Sequence, residues 1–278
     1  MEKELRMKHA IVLLLGAGLV ASSPARAETV TLCTVVADAA TGDVIEQQGT
    51  CDRRVTPAST FKIAISLMGF DAGILKDVHT PALPFRDGYV DWIPAWRATT
   101  DPARWMEKSV VWYSQKVTEA LGDERFRGYV RAFGYGNADV SGDPGKDNGL
   151  TRAWLSSSLQ ISPLEQLAFL RKLVTRKLPV SDRAIAMTEA LTDYGVQPGG
   201  WHVHGKTGAG LPRKPDATLL RGQPYGWFVG WARKDGRAVV FARLIQDSER
   251  QPVAPGFRAR DSLFGDLFAA PDALPATR

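Results

Sequence analysis

Pro57-Ala58-Ser59-Thr60-Phe61-Lys62 runs without a break into Ile63-Ala64-Ile65-Ser66-Leu67-Met68. Proline fits a first helical turn, where its missing N–H is not needed, so the order predicts a helix over Ser59–Met68 opened by Pro57. A lysine three residues after a serine lies one turn on and on the same face, within reach of the serine oxygen. The pairing matters because a serine hydroxyl is a poor nucleophile until a base removes its proton. The helix N-terminus adds a backbone dipole that favours negative charge forming at Ser59. An N-capping serine is the competing reading, and S-x-x-K alone is a weak signal. It occurs once in the chain.

Strands lie on both sides of that helix. Leu32–Ala37 and Val44–Gln48 are strand-like runs joined by a turn at Ala40-Thr41-Gly42-Asp43. Towards the C-terminus, Val203–Lys206, Tyr225–Ala232 and Ala238–Ile245 read as three more, with Lys234-Asp235-Gly236 as the turn between the last two. Between these groups, helices are expected over Val110–Leu121, Glu124–Phe133, Pro163–Thr175 and Asp182–Leu191. In the third, Leu164, Leu167, Leu170 and Leu173 recur every three residues. Val140–Asn148, rich in Gly, Asp and Pro, reads as a loop. Strands from both chain ends around a helical middle predict an α+β fold. It would have one central antiparallel sheet flanked by helices and a second, mostly helical lobe. No linker and no internal repeat divides the chain.

Composition sets the outer bounds. Of 278 residues, 44% are hydrophobic and 23% charged, which excludes disorder, a collagen-like repeat and a coiled coil as the main architecture. The net charge of +5 is mild, and plus and minus signs interleave without a basic block, so nucleic acid is not an expected partner. Met1–Ala27 reads as a secretory signal: basic Lys3, Arg6 and Lys8, apolar Ile11–Val20, then Ala25-Arg26-Ala27. A run of about ten apolar residues is too short for a ~30 Å hydrocarbon layer, which needs ~20. The expected mature chain is Glu28–Arg278, in the periplasm and free of the membrane after cleavage. In that oxidising space Cys33 and Cys51 are expected to pair, because the turn brings residue 33 opposite about residue 50. Two buried free thiols are the alternative.

The second chemical feature is Lys206-Thr207-Gly208, between Gly205 and Ala209-Gly210. At a strand end, small residues let a ligand lie along the edge, and an ammonium beside a hydroxyl suits a carboxylate; a basic strand end running into a Gly turn is the competing reading. A Ser/Lys nucleophile on a helix together with K-T-G on a strand is the signature set of penicillin-recognising serine acyl-transferases. Further motifs stand in order between and after them: Ser109-Val110-Val111, Tyr135-Gly136-Asn137, Trp154-Leu155 leading into Ile161-Ser162-Pro163-Leu164-Glu165-Gln166, and Gly226-Trp227-Phe228-Val229-Gly230-Trp231. With these the chain resembles the class D serine β-lactamases, or oxacillinases, over essentially its whole mature length. Val111 stands where transpeptidases and class A enzymes usually carry Asn, which points to class D.

The resemblance implies hydrolysis of small-molecule β-lactams through an acyl-enzyme on Ser59. It implies that Lys62 is N-carboxylated and serves as general base for acylation and deacylation. CO2 or bicarbonate is then needed to carboxylate Lys62; no other cofactor and no metal is implied. A lysine walled by Val111, Phe61 and Leu155 is poorly solvated, which favours the neutral amine that takes up CO2. The indole N–H of Trp154, a donor only, suits the anion that results. Backbone N–H groups of Ser59 and Ala209 are implied as the oxyanion hole. Ser109, beside Lys206, is implied as the relay of a proton to the leaving ring nitrogen. Lys206, Thr207 and Arg260 would hold the substrate carboxylate, with Gly208 in the strand edge and Val111 and Leu155 shaping the site. Arg260 is chosen because Arg260-Asp261-Ser262-Leu263 best fits the family's short C-terminal helix start; Arg258 is the alternative. Tyr135 and Asn137 fall outside the catalytic set.

His202 and His204 share a strand face, but without a third ligand in a recognisable pattern they read as polar strand residues rather than metal ligands. Neither H-E-x-x-H nor G-x-S-x-G occurs, which disfavours a metallo-hydrolase and a Ser-His-Asp hydrolase. The rival readings are a penicillin-binding sensor and a cell-wall transpeptidase, both of which acylate without fast turnover. The sequence does not choose among penicillins, cephalosporins and carbapenems, nor between monomer and dimer.

Overall fold

The computed structural model describes residues 28–274 apart from 215 and 217, so the expected signal over 1–27 lies outside the described residues. The strands are β1 (Thr29–Asp38), β2 (Val44–Gly49), β3 (Asp193–Val196), β4 (His202–Gly210), β5 (Tyr225–Lys234) and β6 (Arg237–Asp247). They form one sheet in the order β2-β1-β6-β5-β4-β3, each neighbouring pair antiparallel. The first and last strands therefore pair inside the sheet, β1 with β6. Asp235 and Gly236 have φ of 50° and 76° and make a two-residue hairpin loop with Lys234 opposite Arg237. Positive φ at both loop residues matches the twist of the flanking strands. In the first hairpin Cys33 lies opposite Gly49, with a bulge between Val36 and Ala37 in the register. Cys33 and Cys51 are disulfide-bonded, their Cα atoms 5.1 Å apart.

The helices are α1 (Lys62–Asp71), α2 (Pro102–Lys108), α3 (Val111–Leu121), α4 (Asp123–Phe133), α5 (Gly149–Arg152), α6 (Pro163–Val174), α7 (Asp182–Leu191) and α8 (Pro255–Leu267). Every residue from Lys62 to Phe70 is buried. A helix apolar on all sides belongs inside a core, and α1 stands between the sheet and the helical lobe. Strand alternation divides the apolar residues between two cores. Trp227, Val229 and Trp231 of β5 face the lobe with Phe61, Trp112 and Trp154. Phe228 faces the other way, with Phe241, Leu263 and Phe268 beneath α8.

Three differences from the sequence reading concern the site. Ser59 is in a short 3-10 turn, Ala58–Phe61, and the α-helix proper begins only at Lys62. Ala58 has φ of 49°, so helical geometry cannot extend back through it. The Lys206-Thr207-Gly208 motif lies within β4 rather than at its end. Pairing with β5 continues to Gly210 opposite Tyr225, and the glycines that read as a turn serve close packing instead. Arg260 is not at a helix start but in the second turn of α8, which opens at Pro255.

Candidate active site

The turn that carries Ser59 is braced by neighbouring elements. Thr60 Oγ1 donates to Pro57 O (2.7 Å) and accepts from Gln166 Nε2 (3.1 Å), which also donates to the Tyr135 hydroxyl (3.3 Å). Trp227 Nε1 donates to Thr56 O (3.1 Å), and the Tyr225 hydroxyl bonds the Thr56 side chain. Ala58 N–H donates to Trp154 O (3.1 Å), tying the turn to the tryptophan segment. Three residues per 3-10 turn stack position i over i+3. Lys62 is thereby brought onto Ser59, with Nζ 3.1 Å from Oγ.

Lys62 is fully buried. Burial pushes its amine well below the usual lysine range, and the charge of nearby Lys206 pushes the same way. Phe61 and Trp154 line this pocket with ring centroids 5.7 Å apart, and Val111 and Leu155 belong to the same core. Trp154 Nε1 is buried and has no hydrogen-bond partner. An orphaned N–H of this kind costs ~1–3 kcal/mol and calls for an acceptor. An anionic carbamate on Lys62 is such an acceptor, so the residues present fit the implied modification.

Lys206 is nine-tenths or more buried, and its amine is pushed down to about 7 by burial first and by Arg260 second. Its Nζ donates to Thr207 O (3.2 Å) and weakly to Thr207 Oγ1 (3.4 Å). Two residues on, Gly208 presses against the nucleophile turn. A Cβ there would lie 3.0 Å from Pro57 O and 3.1 Å from Thr60 Cγ2, so any larger residue would push the Ser59 turn away by a few tenths of an ångström. Gly205 N–H donates away from β5 to Thr192 O (2.9 Å), and by the two-residue period the N–H groups of Thr207 and Ala209 point the same way. β3 pairs only with His202 and His204, so among the described residues no strand covers that edge.

Ser109 caps α2 with φ of 58°, and Ser156, next to Leu155, has φ of 54°. With Ala58 they place three unfavourable backbone conformations beside Ser59, the serine of S-V-V and the Trp154 segment. Such strain gathers where surrounding structure fixes a functional geometry. Arg260 and Arg258 part company. Arg258 is committed to the Asp247 carboxylate, Thr29 Oγ1 (2.6 Å) and Val253 O (3.1 Å). Arg260 also has a carboxylate partner, Asp261 Oδ1 (2.7 Å from Nε), but that partner is exposed rather than buried. Arg260 lies against the Tyr194 and Phe257 rings, and its charge reaches Lys206. Beyond Gly210 a cavity of about 430 Å³ is lined by Leu211, Arg221, Pro224, Arg250 and Pro255. Ser59 is not in its wall, so this basic cavity adjoins the site rather than forming it.

The penicillin-binding protein transpeptidase domain matches residues 32–269. Beta-lactamase OXA-9 of Klebsiella pneumoniae is 45% identical over 95% of this chain and 97% of its own. Beta-lactamase OXA-1 of Escherichia coli is 39% identical over 77% of this chain and 75% of its own. The crystal structure of the OXA-427 class D β-lactamase, 48% identical, superposes with a TM-score of 0.81 over 84% of this chain and 96% of that one. The chain belongs to the class D β-lactamases. In this β-lactamase the braces around the nucleophile were not legible as such. Tyr135 and Gln166 stand in recognisable motifs, yet only the fold shows that they meet at Thr60. Asn137 likewise ties the segment after Trp154, donating to Ser158 O (2.9 Å) and accepting from Gln160 N–H (2.9 Å).

Proposed function

We propose that this class D β-lactamase hydrolyses β-lactams through a Ser59 acyl-enzyme, with Lys62 N-carboxylated. The observation that carries the reading is a fully buried lysine 3.1 Å from Ser59 Oγ beneath an unpaired indole N–H. The neutral amine that burial favours adds CO2 and loses a proton. Trp154 Nε1 would hold the carbamate, which supplies a general base beside Ser59 in both half-reactions. Ser59 Oγ gives up its proton as it bonds the lactam carbonyl carbon. The N–H groups of Ser59 and Ala209, the latter on the open edge of β4, receive the carbonyl oxygen as it becomes anionic. When the ring C–N bond breaks, Ser109 passes a proton from the Lys206 side to the nitrogen. Water then takes the acyl group and Oγ regains its proton. Lys206, Thr207 and Arg260 hold the substrate carboxylate, and Val111 and Leu155 keep the lysine pocket dry. We further infer export to the periplasm by cleavage after Ala27, which N-terminal sequencing of the exported protein would report as Glu28.

The test is steady-state hydrolysis of a penicillin by Glu28–Arg278 with and without added bicarbonate. Turnover that rises with bicarbonate is expected. A single stoichiometric burst that bicarbonate does not rescue would replace this reading with a sensor or transpeptidase that acylates and stops.

A further inference from the structure

At the sheet edge away from β2, β3 pairs Asp193 with His204 and Val196 with His202. That contact assembles three metal-ligating side chains that sequence spacing alone does not unite. The His202 and His204 rings stack with centroids 4.7 Å apart, and His202 Nε2 lies 2.7 Å from Asp193 Oδ1. His204 is buried against Trp231, ring centroids 5.2 Å apart, with Nδ1 3.0 Å from Glu189 O. A carbonyl can only accept, so Nδ1 carries the hydrogen and the neutral ring presents Nε2 as a lone pair. Metal-binding histidines are oriented in this manner, the second ring N–H fixed on a backbone carbonyl. One donor atom from each of the three residues lies within 4.8 Å of the others. A tetrahedral zinc site with bonds of ~2.0–2.1 Å needs about 3.3 Å between ligand atoms, so Asp193, whose Oδ1 also accepts from Gly195 N–H (2.6 Å), and half-exposed His202 must turn towards His204 to close the site. Among the described residues it is the one group of three with this property.

We propose that Asp193, His202 and His204 bind one divalent transition metal of the zinc class, with water completing the tetrahedron. Two imidazoles and a carboxylate are a borderline ligand set that suits zinc better than calcium or magnesium. The ion displaces the hydrogen that His202 shares with Asp193; it moves to Nδ1 of a neutral ring, or leaves to solvent from a charged one. The role is structural. The ion pins the four-residue β3 to β4 two residues before Lys206, at an edge otherwise held by short, irregular pairing.

The experiment is zinc binding to chelator-treated Glu28–Arg278, read by equilibrium dialysis and by thermal unfolding. One equivalent of zinc is expected, with a rise in Tm of about 5–10 °C at a hundredfold excess over Kd. His202→Gln and Asp193→Asn alter exposed side chains and should fold; each is expected to weaken zinc binding at least tenfold, whereas His79→Gln should leave it unchanged. His204 is packed in the core, where a substitution would mix lost packing with lost binding, so the test rests on the two exposed ligands. No stoichiometric binding by the unsubstituted protein at 100 times the protein concentration would overturn the proposal. So would binding that survives in either the His202 or the Asp193 variant.

Discussion

At the scale of single residues, the unpaired indole of Trp154 and the divided duties of two arginines each make a separable prediction. Trp154 Nε1 has no acceptor in the bare protein, so Trp154→Phe removes a buried unsatisfied donor rather than a hydrogen bond. In bicarbonate-free buffer the substitution is expected to cost less than an ordinary large-to-small core change, because loss of the orphan donor offsets part of the cavity left beside Phe61 and Phe126. Turnover is expected to fall by ~10²-fold or more, because the carbamate loses its holder, and to recover in part as bicarbonate is raised. A drop in turnover that bicarbonate leaves untouched would count against the carboxylated lysine. If Arg260 grips the substrate carboxylate as proposed, a contact worth about 1.5–3 kcal/mol, Arg260→Ala should lower kcat/KM roughly 10- to 100-fold, with at most a small loss of Tm from its exposed pair with Asp261. Arg258→Ala should do the reverse. It strands the fully buried carboxylate of Asp247, at a cost of about 3–5 kcal/mol, while kcat/KM of the surviving folded protein changes little. Chevron or urea melts beside steady-state kinetics on both variants separate the two duties, and swapped outcomes would move the carboxylate site to Arg258.

At the scale of elements, the site depends on how closely β4 approaches the nucleophile turn, and Gly208 sets that distance. Its missing Cβ leaves room for Pro57 O and Thr60 Cγ2 on one side, while the Gly256 of α8 closes on Gly208 O from another. Gly208→Ala is expected to cost about 1–3 kcal/mol through overpacking. It should also lower kcat by up to around 10-fold, since the turn that carries Ser59 must give by a few tenths of an ångström, less than the ~1 Å misplacement that costs about 10²-fold. Normal kcat in a destabilised Gly208→Ala protein would show that β4 need not touch the turn. The same strand shows what sequence could and could not reveal. The strands β1, β5 and β6 were legible as short apolar runs because both of their faces are buried over most of their length, and the leucine repeat of α6 was legible because one side of that helix packs in the core. β4 read short because Gly205, Gly208 and Gly210 look like a turn; their reason is contact with residues far away in the chain. β3 has four residues and mixed exposure, too little for a period. Ser59, Lys62 and the K-T-G strand were legible as motifs because chemistry fixes residue type at each position. Thr56 and Tyr225 are ordinary polar residues whose mutual contact spans 169 positions, and no local pattern marks them; Gln166 stands in a motif, but nothing in the motif shows that it braces Thr60, 106 positions away.

At the scale of the whole molecule, the two cores hold groups whose charged forms they oppose, and the sum fixes a pH profile of stability. Burial lowers Lys206 to about 7 and Lys62 well below its usual range, each helped by a neighbouring positive charge. An unfolded lysine titrates near 10.4. Between about pH 7 and that value the unfolded chain carries a proton on Lys206 that the folded chain lacks. Stability therefore rises with pH, by about 1.4 kcal/mol per unit for each lysine in its window. His204, lowered chiefly by burial, acts with the same sign near its ordinary value of about 6.5. The tyrosines act oppositely. Burial raises Tyr129 and Tyr225 to about 12 and raises Tyr113, Tyr135 and Tyr194 as well. Above about pH 10 the unfolded chain sheds phenolic protons that the folded chain keeps, and stability falls. Asp101, Asp143, Asp193 and Glu165 are all lowered, with hydrogen bonds or ion pairs outweighing burial, so their contribution holds at neutral pH and is lost only in acid. The maximum is thus expected between about pH 8 and 10, on the alkaline side of the pH 5–8 range common to proteins. Urea melts in bicarbonate-free buffer from pH 6 to 11 test this, with Lys206→Met as the control that removes one titrating amine. From about pH 8 to 9 the unsubstituted protein should gain stability with a slope steeper by about one proton than the variant's. Parallel slopes, or a maximum below pH 7, would mean that Lys206 keeps its proton in the folded state, and the electrostatic account of the site would have to give way.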